Sequence, residues 1–195
     1  MSKKFAKTIR VITIPPILVF ALLTLLLNDF STFYRGVSDY VGAVVFLMMI
    51  PTLAYPFQMV MPSLREKGRD MQRKLAFVFS ISGYTLGLVY AIASGAGAKL
   101  TSIYIGYFCS VIFLTFFNKV LKIHASGHAA GITGPLLYVV WYSEIWMLPL
   151  AVLLYVAIIW SSLKMKRHTM PEFMLGTLCS ATAFFVSIIF AMASV

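Results

Sequence analysis

Three histidines and one glutamate are the residues of this chain best suited to chemistry. "KIHASGHAAGITGP", Lys122 to Pro135, carries His124 and His128 between two long apolar runs, and "KRHTMPEF", Lys166 to Phe173, carries His168 and Glu172. Ionisable side chains beside membrane segments are costly and tend to mark function. Ser126 precedes a helical run and is placed to cap it. The amides of Gly127 and His128 then point outward, where the helix dipole favours an anion such as phosphate. Gly127, Gly131 and Gly134 allow the backbone to approach a ligand or another helix. In the second stretch, Pro171 suits the first turn of a helix. His168 and Glu172 stand four apart and share a face if that turn is helical. A carboxylate bonded to one imidazole nitrogen fixes the tautomer and makes the other nitrogen a better base or nucleophile. Two histidines and a carboxylate beside an anion cradle suggest transfer or hydrolysis of a phosphate ester.

The elements that must position these residues are membrane helices. The chain has 195 residues, of which 61% are hydrophobic and 11% charged, with a mean hydropathy of +0.91. Soluble domains sit near ~45–50% apolar and ~25% charged, so an all-α integral membrane bundle is expected, as a single domain over residues 1–195. Cys109 and Cys179 fall inside apolar runs and read as small core residues. About seven candidate spans approach the ~20 apolar residues needed to cross a bilayer. They are Val11–Leu27, read as a retained anchor, Val41–Met61, kinked by Pro51 and Pro56, Leu75–Ala93, Thr101–Phe117, His128–Tyr142, Ile145–Leu163 and Phe173–Val195. "SGAGAK" makes a tight turn before the fourth, and a very short link at Ser143–Glu144 precedes the sixth. The fifth is short and Gly-rich, so six full spans plus a half-span is the other count.

Charge placement orients the bundle. Counting crossings from the N-terminus puts on one side Lys3, Lys4, Lys7, Arg10, Arg65, Lys67, Arg69, Arg73, Lys74, Lys119, Lys122, Lys164, Lys166 and Arg167, 14 of the 16 basic residues. Arg35 and Lys99 fall on the other side. Basic loops stay in the cytoplasm, so the N-terminus and the site are expected to be cytoplasmic, at the cell (inner) membrane. A phosphate site would gather basic residues on one face by itself, but the N-terminal cluster is read as independent of any site. The same count brings His124, His128, His168, Glu172 and the loop "REKGRDMQRK" to one surface.

These residues resemble the type 2 phosphatidic acid phosphatase superfamily, membrane enzymes that remove phosphate from lipid phosphates and carry the motifs K-x6-R-P, P-S-G-H and S-R-x5-H-x3-D. "ASGH" (Ala125–His128) is similar to the second, with alanine for proline. "SSLKMKRHTMPE" (Ser161–Glu172) is similar to the third, with Ser162 at the arginine position and Glu172 for aspartate. The first is weaker: Lys67, six residues, then Lys74 and Leu75. The resemblance runs from about Lys67 to Glu172, about half the chain. It implies that His168 attacks phosphorus to form a phosphohistidine, that Glu172 holds its ring, and that His128 protonates the leaving lipid oxygen. Ser126, Gly127, Lys67 and Lys74 would hold the phosphate oxygens, with Arg167 or Lys166 standing in for the missing arginine. The scheme needs no metal or other cofactor. Its partners are a lipid phosphate and the surrounding lipids, with no nucleic acid.

Other readings of the same residues stand beside it. Thr169 to Glu172 is also a capping box, a role that can coexist with catalysis. Gly127-x3-Gly131 is a common helix-packing pattern, and Arg65–Lys74 would also serve as a plain topogenic loop. His124, four before His128, raises a zinc hydrolase using His124, His128, His168 and Glu172. The serine at position 162 raises a protein that binds lipid phosphates without turnover.

Overall fold

The computed structural model describes residues 3–143 and 146–194. Glu144 of the expected short link, Ile145 at the expected start of the sixth span and Val195 lie outside the described residues. The helices are α1 (Lys3–Ile12), α2 (Pro15–Phe33), α3 (Val37–Val60), α4 (Gly68–Ser94), α5 (Ala98–Val120), α6 (Gly127–Tyr142), α7 (Met147–Lys164) and α8 (Met170–Ala193). Six of them, all except α1 and α6, are long and apolar enough to cross a membrane. No strand occurs among the described residues. The chain is an all-α integral membrane bundle.

The seventh element of the bundle is the short one. Sixteen residues of α6 span about 24 Å at ~1.5 Å per residue, less than the ~30 Å of a hydrocarbon core. It is wrapped by α2, α5, α7 and α8. From His128 it runs to Tyr142, whose hydroxyl lies 2.8 Å from Ser102 Oγ of α5 and whose ring meets Phe33 of α2 at 5.1 Å. Of the two counts expected, six full spans plus a half-span is the one formed, with α6 as the short buried helix.

The first expected span differs more. A helix beginning at Val11 and running to Leu27 is not formed. The chain is helical to Ile12, Ile14 is extended (φ −64°, ψ 146°), and the helix restarts at Pro15-Pro16. Proline lacks the N–H a helix interior requires and disfavours helical backbone in the residue before it. A joint at Thr13 and Ile14 follows. α1 is thus a separate amphipathic helix packed on α7, with Phe5 and Trp160 ring centroids 6.2 Å apart. Its inward stripe is Ala6, Ile9, Arg10 and, just beyond, Thr13, the spacing of one helical face.

α3 bends as its prolines require. A π turn, Val45–Met49, precedes Pro51, and a turn interrupts the helix at Leu53. Here α4 comes close: a Cβ on Gly83 would sit 2.7 Å from the Phe46 carbonyl. At the end of the bundle remote from the histidines, Gly95 closes α4 in the left-handed conformation (φ 67°) that favours glycine. Arg35 is bound there to Asp39 (Nη2–Oδ1 2.7 Å) and donates from Nη1 to the carbonyls of Ser94 and Gly95. Asp39 is 1% exposed. Lys99 lies over the Phe33 ring. Both basic residues expected on this side are therefore engaged by the protein.

Candidate functional site

Two chain segments, remote in sequence, are joined backbone to backbone. Ser126 is the N-cap of α6, its Oγ accepting from the Ala129 amide at 3.2 Å. Thr169 caps α8 in a capping box: its hydroxyl accepts from Glu172 N, and Glu172 Oε2 accepts from Thr169 N at 3.0 Å. The Ser126 amide donates to the Glu172 carbonyl at 2.9 Å. This approach depends on Gly176, where a Cβ would collide with the Ser126 carbonyl. Asn118, in the π turn Phe116–Val120 ending α5, holds the segment from the other side. Its Oδ1 accepts from Ala125 N (3.2 Å), and its Nδ2 donates to Ala125 O (3.1 Å) and Leu114 O (2.9 Å).

The junction brings two imidazoles together. The His128 and His168 rings are nearly parallel, 14° apart in plane, with centroids 6.5 Å apart. That separation is too wide for ring contact. His128 Nε2 is buried and has no partner. Behind His168, Nδ1 lies 3.6 Å from Glu172 Oε2, an electrostatic contact longer than a hydrogen bond. The same carboxylate oxygen therefore caps α8 and faces the ring.

Both histidines line a cavity of about 1120 Å³ running into the bundle. Its mouth is basic, with Arg10, Arg69, Arg73, Lys74, Lys119 and Arg167 on the wall, against the carboxylates of Asp70 and Glu172. Deeper it turns apolar and aromatic, with Val19, Leu47, Tyr107, Tyr138 and Phe184. A polar head beside an apolar interior is the form an amphiphile requires.

Of the sequence-expected residues, His128, His168, Glu172, Gly127, Lys74 and Arg167 line this cavity, as does His124 at its exposed rim. Ser126 is 2% exposed and spends its hydroxyl on the helix cap. Lys67 stands at the N-cap of α4 outside the cavity wall. Gln58 explains this placement: buried in α3, its Nε2 donates to Leu64 O (3.2 Å) and Gly68 O (2.7 Å), pinning the loop before α4. Arg69 and Arg73, one turn apart, then present to the cavity. Ser162 is wholly buried and does not line the cavity. Of its two suggested stand-ins, Arg167 reaches the cavity, whereas Lys166 lines a smaller recess behind His168.

Sequence reasoning missed Arg10, Arg69, Arg73 and Asn118. For Arg10 a signal existed in the 6–9–10–13 stripe of α1. The expectation that the N-terminal basic cluster is independent of the site is corrected by Arg10, which belongs to both. Its pKa is lowered by burial and by the like charges of Arg167 and Arg69. The pKa of His168 is also lowered, first by burial and then by Arg10, with Glu172 opposing, so its neutral, nucleophilic form is favoured.

Among the described residues, no three or more His, Cys, Asp or Glu side chains come together as a group that could hold a metal ion. His124, His128, His168 and Glu172 are thus not gathered as the zinc reading requires. Comparison with models of known protein families, with characterised proteins and with solved structures finds no match to this chain.

Proposed function

We propose that this protein is a membrane-embedded phosphatase that hydrolyses a lipid phosphate or diphosphate through a phosphohistidine, without a metal, in the manner of the type 2 phosphatidic acid phosphatases. The observation that carries the reading is the pair of imidazoles, ring centroids 6.5 Å apart, on the wall of an arginine-lined cavity, one of them backed by a carboxylate. An imidazole nitrogen of His168 attacks phosphorus, forming an N–P bond as the bond to the lipid oxygen breaks. His128 delivers a proton to that oxygen, and the lipid alcohol leaves. Water then attacks the phosphohistidine and gives a proton to His128, releasing phosphate and restoring His168. Through both transfers the basic groups hold the phosphoryl oxygens, the electrostatic role that magnesium has in other phosphoryl-transfer enzymes. Glu172 stabilises the positive charge that His168 acquires.

The apolar interior of the cavity supports an amphiphilic substrate, its chain inside the bundle and its phosphate at the basic mouth. The segregation of basic residues supports a site facing the cytoplasm, at the cell membrane. A reporter fused to the C-terminus tests that orientation: a cytoplasmic C-terminus would contradict it. Purified protein given a panel of lipid phosphates, with EDTA present and His168→Ala alongside, tests the chemistry. Phosphate release that survives EDTA and disappears in the variant is the expected result. No release from any lipid, or release abolished by EDTA, would overturn it.

A further inference from the structure

The phosphatase reading leaves a gap, because the third motif lacks its arginine and Ser162 in its place is buried outside the cavity. We infer that Arg10, carried on the separate N-terminal helix α1, supplies the phosphate-gripping guanidinium, so that docking of α1 on the bundle completes the anion site. The proposal rests on the phosphatase reading for the gap it fills, while the binding of phosphate is argued from the unpartnered Nη1 of Arg10 and can be tested apart from turnover.

Arg10 Nη1 is buried and meets no hydrogen-bond partner in the protein. A buried donor left unmade costs free energy, most of all on a charged group, so this unsatisfied guanidinium nitrogen calls for an acceptor that binds. The neighbours supply none. Arg10 shares its cavity with Arg69, Arg73 and Arg167, and their mutual repulsion adds to that cost. The carboxylates on the same wall do not answer it: Asp70 is exposed, and Glu172 already bonds the Thr169 amide and faces His168. A phosphate bound in this cavity would accept from the orphan donor and offset the charge of the cluster. Guanidinium suits this role because its fork of N–H groups matches two phosphate oxygens.

The placement of Arg10 is built into the local fold. Ala6 and Ile9 on its own face anchor α1, Ile9 against the core of Leu18, Ile132, Ile158 and Phe173. The joint at Thr13 and Ile14 turns the chain so that α1 lies beside the site instead of continuing α2. Thr13 Oγ1 ties back to the Ile9 carbonyl at 2.7 Å, closing the last turn that carries Arg10. An arginine that served only as a topogenic charge would lie outward, as Lys4 and Lys7 do on the same helix.

The test is thermal unfolding of the purified full chain in detergent against rising inorganic phosphate, for wild type, Arg10→Gln, Arg10→Lys and the exposed control Lys7→Gln, with lipid-phosphate turnover measured in parallel. Losing a charge-assisted bond raises the phosphate concentration giving half-maximal protection by roughly ten- to a hundredfold in Arg10→Gln. Arg10→Lys recovers part of the loss, and Lys7→Gln matches wild type. If Arg10→Gln is too unstable to handle, Arg10→Lys decides, because a point charge without the fork should still bind several-fold more weakly. Phosphate protection equal to wild type in the Arg10 variants, or none in wild type, overturns the inference. Protection that depends on Arg10 without turnover of any lipid keeps the anion site and discards the phosphatase. Turnover with normal protection in Arg10→Gln does the reverse.

Discussion

Replacing Asn118 by alanine should loosen the segment that carries Ser126 and His128 without touching either residue. The change removes two bonds to the backbone of Ala125, at 3.1 and 3.2 Å, and one to Leu114 at 2.9 Å. The Leu114 bond is local, so only the Ala125 pair is counted. Ala125 is 9% exposed, and water does not fully replace its lost partners. At about 0.6–1.5 kcal/mol for each bond, the two contribute about 1–3 kcal/mol. For a chain of this length that is about 2–12 °C of unfolding temperature at ~2–4 °C per kcal/mol. Asn118→Asp retains the acceptor for Ala125 N but cannot donate to Ala125 O, so it should lose about half as much. Turnover of Asn118→Ala should fall further than stability, because a shift of ~1 Å at the reacting groups costs about a hundredfold. The assays are thermal unfolding in detergent and lipid-phosphate hydrolysis per folded molecule. An Asn118→Ala protein within about 1 °C of wild type, or an aspartate variant as damaged as the alanine one, would refute the assignment of these two bonds.

Three further outcomes are expected. Gly176→Ala forces Ser126 away from α8, at about 1–3 kcal/mol of overpacking, and turnover should be lost while the helical circular dichroism signal persists. Ser162→Arg, which puts arginine where the resembled third motif has it, should not raise activity. It buries an unpaired charge in α7 at several kcal/mol, so the yield of folded protein should drop, and a gain in turnover would show that position 162 faces the site. The acid limb that His168 contributes to the pH profile of kcat/KM should lie below the ordinary histidine value of about 6.5, because burial and Arg10 lower the His168 pKa against the opposing Glu172. Arg10→Gln should move the acid limb to higher pH and Glu172→Gln to lower pH. Stability carries the same sign: the unfolded chain takes up its proton first, so the unfolding temperature should fall as pH drops through about 6.5.

What could be read from the sequence was local. Thr169, Pro171 and Glu172 specify the start of α8 within four residues, and Ser126 specifies the start of α6, so both caps form where the chain indicates them. Pro51 marks the bend of α3 for the same reason. The cavity wall is a different problem, because it depends on contacts between remote segments. Arg10 reaches it only because the chain breaks at Pro15 and α1 folds back on α7, a contact without any short-range pattern. Lys67 misses it and Arg69 and Arg73 line it, because Gln58, on another helix, fixes where α4 begins. The bond from Ser126 N to Glu172 O joins the two histidine segments, and its one trace in the sequence is a glycine at position 176 among many other glycines.

The depth of the cavity has an electrical consequence. Tyr138 forms part of its inner wall, about 16 Å along α6 from Gly127 at ~1.5 Å per residue. It is held by Ser187 Oγ at 2.6 Å and by the Ser102 carbonyl at 3.1 Å. Beyond it the rings of Tyr142 and Phe33 close the remaining stretch. Were solvent to fill the basic mouth, this aromatic stretch would be the insulating layer at that point of the membrane, and most of the transmembrane voltage would drop across it. A charge moved through the full drop changes energy by about 2.3 kcal/mol per 100 mV. On the proposed function, a phosphate bound at His168 would sit outside the plug and feel little of that field, so its hydrolysis should proceed at the same rate in energised and de-energised vesicles. Opening the plug at Tyr138 would instead turn the site into a leak.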